Sequence, residues 1–168
     1  MSEIQPCNKK EECRRLWKET FGDSDAFIEH FIRDFYDSSN MLCIEEKARI
    51  VSMLHMVPFK MGSKDVGYIY AVATEEKSRG KGYATLLIEK GIAAAKAIGY
   101  AALVTIPADE GLRLFYSRFG FTGSHPVTFK GTGNFNFGTG EKKKDVALLL
   151  PLEGTLIIEE GMSLVLEM

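Results

Sequence analysis

No stretch of the 168-residue chain holds the roughly 18 consecutive apolar residues that a membrane-spanning helix requires, so no such span is expected. Its beginning, MSEIQPCNKK, lacks the charged start and apolar run of a secretory leader, and a cytoplasmic location is the resulting expectation. An excess of positive charge is also missing, since 21 Lys and Arg stand against 23 Asp and Glu, giving a formal net charge of -2. Such a chain has no field with which to hold a polyanion, and its densest basic run, Lys142 to Lys144, is short and follows Glu141. Nucleic acid is therefore not an expected partner. Cysteine is scarce and odd in number: Cys7, Cys13 and Cys43 form no CxxC pair and no zinc-ligand cluster with His30, His55 and His125. Neither a metal centre nor a disulfide scaffold is expected. The apolar surroundings Met41-Leu42-Cys43-Ile44 suit a small buried hydrophobe, and all three cysteines read as buried or inert thiols.

What the chain does have is 45% apolar residues in a length that favours one domain, taken here as residues 1 to 168, with 130 to 168 a less regular extension of loops and strands. Residues 9 to 36 carry helical periodicity in two blocks separated at Phe21-Gly22-Asp23-Ser24, where Gly22 can end one helix and Asp23 or Ser24 can cap the next. From Met41 the period changes to that of strands, at 41 to 45, 50 to 57 and 66 to 73. A helix from about Gly80 to Ile98, with Tyr83, Leu87, Ala94 and Ile98 at helical spacing, then crosses to a strand at 101 to 106, a connection that favours parallel pairing. Asp109 can cap a short helix whose Leu112, Phe115 and Phe119 share a face, and a strand from 121 to about 129 follows. The segment from Lys130 to Lys144, with Gly131, Gly133, Gly138 and Gly140 among Asn and Thr residues, reads as a long loop or irregular hairpin. Short strands are expected at 146 to 150, 155 to 158 and 163 to 166. His55, on an alternating strand, reads as a surface histidine or a hydrogen-bonded core one.

The chemistry points first to Tyr68-Ile69-Tyr70-Ala71-Val72-Ala73-Thr74-Glu75-Glu76-Lys77-Ser78-Arg79-Gly80-Lys81-Gly82-Tyr83-Ala84. Here a strand feeds a basic, glycine-bearing turn that opens a long helix, whose first N–H groups have no intrahelical acceptors. Gly80 and Gly82 let a ligand approach the backbone, the helix end adds positive potential, and Lys77, Arg79 and Lys81 add charge suited to a pyrophosphate. The dinucleotide-type and nucleotide-type glycine loops both fail, because Thr85 stands where the first needs glycine and Gly80-Lys81 is followed by Gly82. A second segment, Tyr116-Ser117-Arg118-Phe119-Gly120-Phe121, follows the parallel strand, and ligands gather past the carboxyl ends of such strands. Tyr116 is either a residue of that site or an ordinary core tyrosine.

Together these segments resemble the GNAT superfamily of N-acetyltransferases. Lys77-Ser78-Arg79-Gly80-Lys81-Gly82 is similar to the family's acyl-CoA signature, Gln/Arg-x-x-Gly-x-Gly/Ala, with lysine replacing the first residue; charge is kept and bidentate geometry is not. The run from Tyr116 to Phe121 resembles the later tyrosine-to-Gly-Phe motif, with Asp109 where an asparagine is common. The helices at 16 to 36 and the run Tyr70 to Thr74 look like the amino-terminal acetyltransferase portion of the Eis-type (enhanced intracellular survival) branch. The resemblance implies an α/β (α+β) fold: a mixed, mostly antiparallel central sheet with helices on both faces and a splayed strand pair for acyl-CoA. It implies acetyl-CoA as cosubstrate, with the thioester beside Val72 and Thr74 and the phosphates on Lys77, Arg79, Gly80, Lys81, Gly82, Tyr83 and Ala84. Tyr116 would protonate the departing thiolate after direct attack by the amine. A backbone N–H, that of Val72, would hold the developing oxyanion. The glutamate that many relatives carry before the signature is replaced by Tyr68, Ile69 and Tyr70, so the general base stays open, and Tyr68 and Tyr70 are assigned to the acceptor side. The expected acceptor is a small-molecule, antibiotic or peptide amine, the sequence leaving the choice open; no metal is expected, and a homodimer is admissible. The alternative is a coenzyme-A-binding regulatory or interaction module without turnover.

Overall fold

The computed structural model describes residues 4–138 and 145–168. Thr139, Gly140, Glu141 and the Lys142 to Lys144 run therefore lie outside the described residues. The elements in chain order are β1 (Ile4–Pro6), α1 (Lys10–Phe21), α2 (Asp25–Asp34), β2 (Met41–Glu46), β3 (Arg49–Met61), β4 (Lys64–Thr74), α3 (Tyr83–Ile98), β5 (Ala102–Thr105), α4 (Glu110–Ser117), β6 (Thr122–Lys130), β7 (Val146–Pro151) and β8 (Leu164–Glu167). The strands form one mixed sheet in the order β1-β2-β3-β4-β5-β7-β6-β8. Pairing is antiparallel for β1 with β2, β2 with β3, β3 with β8, β5 with β7 and β6 with β7, and parallel for β4 with β5 and β6 with β8. The mixed, mostly antiparallel sheet expected from the sequence is thus present.

Two compact units divide the chain, the first comprising residues 1–57 and 69–93 and the second 58–68 and 94–168. In the first, Gly22 takes the left-handed conformation (φ 69°) that ends α1, and the Ser24 side chain accepts from the Phe27 N–H to start α2, as the break at residues 21 to 24 required. The amphipathic faces then meet. Trp17 and Phe31 pack with ring centroids 4.9 Å apart, both are essentially buried, and Trp17 Nε1 donates to Asp23 Oδ2 at 2.8 Å. Gly91 of α3 faces Leu54 of β3, where an added Cβ would lie 3.7 Å from that side chain, an ordinary packing contact.

In the second unit the parallel crossover pairing runs from Val66↔Ala102 to Tyr68↔Val104. Strand β4 continues to Thr74 beyond the last of these pairs. Strand β7 inserts between β5 and β6. One expectation is corrected here. Residues 155 to 158 form no strand, and Ile157 is 84% exposed. On α4 the buried residue is Tyr116, and Ile98 at the end of α3 is exposed. The described part of the glycine-rich segment, residues 131 to 138, is a loop, in line with the first of the two expected forms. Phe135 and Phe137 are buried, and Phe137 packs on Phe59 and Phe129 at 5.4 and 5.7 Å between ring centroids.

Candidate functional site

In the first unit the basic turn is held from below before any ligand is considered. Glu75 donates its backbone N–H to the Val51 carbonyl at 2.8 Å, and its carboxylate lies 2.8 Å from Arg49 Nε and 3.4 Å from Arg15 Nη1. Arg15 also donates to the Ile50 carbonyl at 2.6 Å and pairs with Glu12 at 3.0 Å, so α1 and β3 clamp the residue that begins the turn. A single 3₁₀ turn, Glu76–Ser78, follows, with Ser78 buried and Lys77 exposed. Next come Gly80 and Gly82, both at φ 78°, a conformation that costs an L side chain roughly 1–2 kcal/mol. An added Cβ at either would meet nothing within 4 Å, so it is backbone conformation rather than crowding that favours glycine, and the surface above the turn is open.

Helix α3 starts at Tyr83, and the Gly82 carbonyl accepts from the Leu86 N–H at 3.1 Å. Helix geometry leaves the N–H groups of the first turn, around Tyr83, Ala84 and Thr85, without intrahelical acceptors. Arg79 donates through Nε to the Thr74 carbonyl at 3.2 Å. Lys81 is ion-paired with Glu46 at 3.2 Å and lies over the Tyr83 ring at 5.6 Å, and the Tyr83 hydroxyl also donates to Glu46. These two donors, Tyr83 first, hold the Glu46 carboxyl below its usual range. Neither Glu46 nor the Arg15–Glu75–Arg49 clamp was apparent from the sequence.

Along β4, Thr74 Oγ1 is 2.9 Å from Ser52 Oγ, which ties that side chain to β3. Ala71 has φ 49°, a left-handed residue without the excuse of being glycine, set between the half-buried Tyr70 and Val72. Such strain re-aims the backbone groups on either side and persists only where the surroundings enforce it. Tyr70 packs on Trp17 and Phe31 at 5.7 and 5.6 Å, and burial, followed by the nearby Asp23 carboxylate, raises its phenol above the ordinary value. His55 is not the hydrogen-bonded or surface histidine expected. It is buried among Phe31, Trp17 and Tyr36, with centroids 5.0, 5.7 and 6.4 Å away, and neither ring nitrogen has a partner of hydrogen-bonding geometry among the described residues. Burial lowers its pKa to about 4, only partly opposed by Cys7 and the Ala71 backbone.

In the second unit Tyr116 is 6% exposed, with its ring against Phe115 and Phe121 at 5.3 and 5.6 Å. Burial pushes its phenol up to about 12, partly opposed by a hydrogen bond with the buried Thr105 side chain. Asp109 caps α4 by accepting from the Leu112 N–H at 2.8 Å, which commits the carboxylate that replaces the expected asparagine. Tyr68, assigned from the sequence to the acceptor side, is 2% exposed and donates to the Phe137 carbonyl at 3.0 Å. Its hydroxyl anchors the 131–138 segment.

Residues 5–123 match the family described as the Acetyltransferase (GNAT) domain. The N-acetyltransferase YhbS of Escherichia coli is 29% identical over 102 residues, covering 59% of this chain and 59% of that protein. The chain thus matches about three-fifths of the length of the curated relative. The crystal structure of E. coli YhbS in complex with CoA superposes with TM-score 0.69 at 20% identity, covering 99% of this chain and 88% of that one. A GNAT family acetyltransferase from Brucella melitensis in complex with acetyl-CoA gives TM-score 0.65 at 17% identity, covering 96% and 93%. Eis1 from Mycobacterium abscessus gives TM-score 0.57 at 9% identity over 75% of this chain and 32% of that one, which supports the fold and not the Eis-type branch. With the family matched across most of the chain, on a mixed sheet whose fourth strand feeds a left-handed glycine turn and a long helix, this chain belongs to the GNAT acetyltransferase family.

Proposed function

We propose that the chain, acting as one acetyltransferase domain, is an acetyl-CoA-dependent N-acetyltransferase that modifies a primary amine of a small molecule or peptide by direct attack. The observation that carries this reading is the preformed turn: Gly80 and Gly82 both left-handed, open space above them, and the first N–H groups of α3 presented at its end. That arrangement suits a pyrophosphate, and the CoA and acetyl-CoA bound to the YhbS and Brucella relatives supply the same class of ligand. Lys77, Arg79, Gly80, Lys81, Gly82, Tyr83 and Ala84 would hold the phosphates, and Val72 and Thr74 the pantetheine arm. The coenzyme supplies an acetyl thioester.

The chain's own residues then have three tasks. Arg79 and Lys81 neutralise charge at the turn; the left-handed Ala71 aims the Val72 N–H, the assigned donor to negative charge developing on the carbonyl oxygen. Tyr116, protonated throughout the physiological range, holds the proton for the leaving sulfur. Tyr70, half-buried beside the Asp23 carboxylate, is assigned to the acceptor side.

Calorimetric titration with acetyl-CoA, followed by a thiol-release screen across small-molecule, antibiotic and peptide amines, tests the reading. Saturable binding together with release of free thiol on one of these classes is the expected result. Folded protein that fails to bind at millimolar coenzyme would overturn it. Binding without release across the whole panel would favour a coenzyme-binding module without turnover, the second reading, which the absence of a carboxylate at residues 68 to 70 supports.

A further inference from the structure

Three thiols from separate parts of the chain converge in the first unit. Cys7 follows β1, Cys13 lies in the first turns of α1 and Cys43 in β2, and none is more than 1% exposed. Cys7 Sγ is 3.8 Å from Cys13 Sγ, and Cys13 Sγ is 3.4 Å from Met41 Sδ. Cys7 and Cys13 are therefore the close thiol pair of the cluster.

We propose that Cys7 and Cys13 are a redox-active pair that hydrogen peroxide closes into a disulfide. Cys7 is the attacking sulfur because it directly follows β1 at the end of the sheet order, and the neighbouring Cys13 thiol holds it well below the usual thiol range against the effect of burial while Cys13 is pushed up in turn. The Cys7 thiolate attacks a peroxide oxygen and breaks the O–O bond, giving a sulfenic acid and hydroxide, which takes up the proton the thiol released. The Cys13 sulfur then attacks the Cys7 sulfur, and the departing hydroxide leaves as a second water with the Cys13 proton. The two sulfurs together lose two electrons and the peroxide gains them.

Geometry selects Cys13 over Cys43 as the partner. In the β1–β2 ladder Gln5 faces Cys43, Pro6 faces Leu42, and the Cys7 N–H bonds the Met41 carbonyl, so Cys7 stands diagonally across from Cys43. Diagonal neighbours on paired strands are about 7–8 Å apart at Cα, beyond the reach of an unstrained disulfide. The Cys7–Cys13 sulfurs need to close by a little under 2 Å from 3.8 Å to reach bonding distance, which side-chain rotation can supply. Peroxide gains access because β1 is a three-residue strand at the end of the sheet order, an element whose local opening uncovers Cys7 without unfolding the domain.

The test is a non-reducing tryptic map of the full chain after peroxide treatment and alkylation. Cleavage after Lys9, Lys10 and Arg14 places Cys7 and Cys13 in different peptides. The expected product is those two peptides joined, two hydrogen masses below their sum, separated by dithiothreitol and formed equally in Cys43→Ala. A Cys7–Cys43 link, oxygenated Cys7 without a link, or no change at peroxide concentrations that oxidise exposed thiols would each overturn the proposal. The wild-type map decides the matter even if a cysteine variant fails to fold.

Discussion

Tyr116→Phe is expected to lower the maximal rate of acetyl transfer about 100-fold while leaving acetyl-CoA affinity nearly unchanged. The phenol is held near 12 by burial, so it is fully protonated at any assay pH and can act only as a donor. A thiolate with a pKa of about 8.5, by analogy with cysteine, lies about three to four units below it, and complete transfer alone would be uphill by about 5 kcal/mol. In the proposed mechanism the hydroxyl would therefore contribute a hydrogen bond that strengthens as charge builds on the sulfur. Hydrogen bonds to charged groups contribute about 1.5–3 kcal/mol, which corresponds to roughly 10- to 150-fold in rate. The same change removes a hydrogen bond with Thr105, a neutral pair worth about 1 kcal/mol of stability. The two roles separate cleanly: turnover at saturating substrates should fall far more than the unfolding midpoint moves. Unchanged turnover, where chemistry limits the rate, would remove Tyr116 from the mechanism. A stability loss matching the rate loss would make it a packing residue.

Acidification from pH 7 to pH 4 should cost about 3 kcal/mol of folding stability through His55 alone. Its folded pKa of about 4 lies below the ordinary 6.5, so the unfolded chain binds a proton that the folded chain refuses. Above 6.5 the residue contributes no pH dependence; between 6.5 and 4 stability falls with pH, and below 4 the loss levels off. Urea unfolding at several pH values measures this slope. His55→Leu should flatten it by a similar amount and keep stability at pH 7 within about 1 kcal/mol, since the lost ring contacts are offset by no longer burying two unpaired nitrogens. An identical acid slope in the variant would show that other groups carry it.

What could be read from the sequence was largely local. Gly22 and Gly99 at helix ends, with φ 69° and 94°, and Ser24 and Asp109 as caps, announce themselves within a few residues of where they act. The basic turn, with both its glycines left-handed, belongs to the same class. What could not be read depends on partners far away in the chain. Lys81 meets Glu46 across 35 residues and Glu75 meets Arg15 across 60. The three cysteines give no spacing signal because they meet through β1, α1 and β2. Strand β7 enters between β5 and β6 by non-local pairing, which periodicity does not encode. Ala71 is hidden for another reason: left-handed backbone normally advertises itself as glycine, and here strain is borne by an alanine.

The Glu46 carboxylate also changes how the turn would meet an anionic ligand. Lys81 already has a counter-charge of its own, so an arriving phosphate there exchanges one anion for another rather than neutralising a bare cation. Fewer small ions are then displaced than the three basic residues would suggest, and the ionic-strength dependence of coenzyme affinity becomes shallower. Glu46 ends β2, just before the turn into β3, so the exchange also frees that hairpin from Lys81 and makes loading of the turn a local trade of contacts.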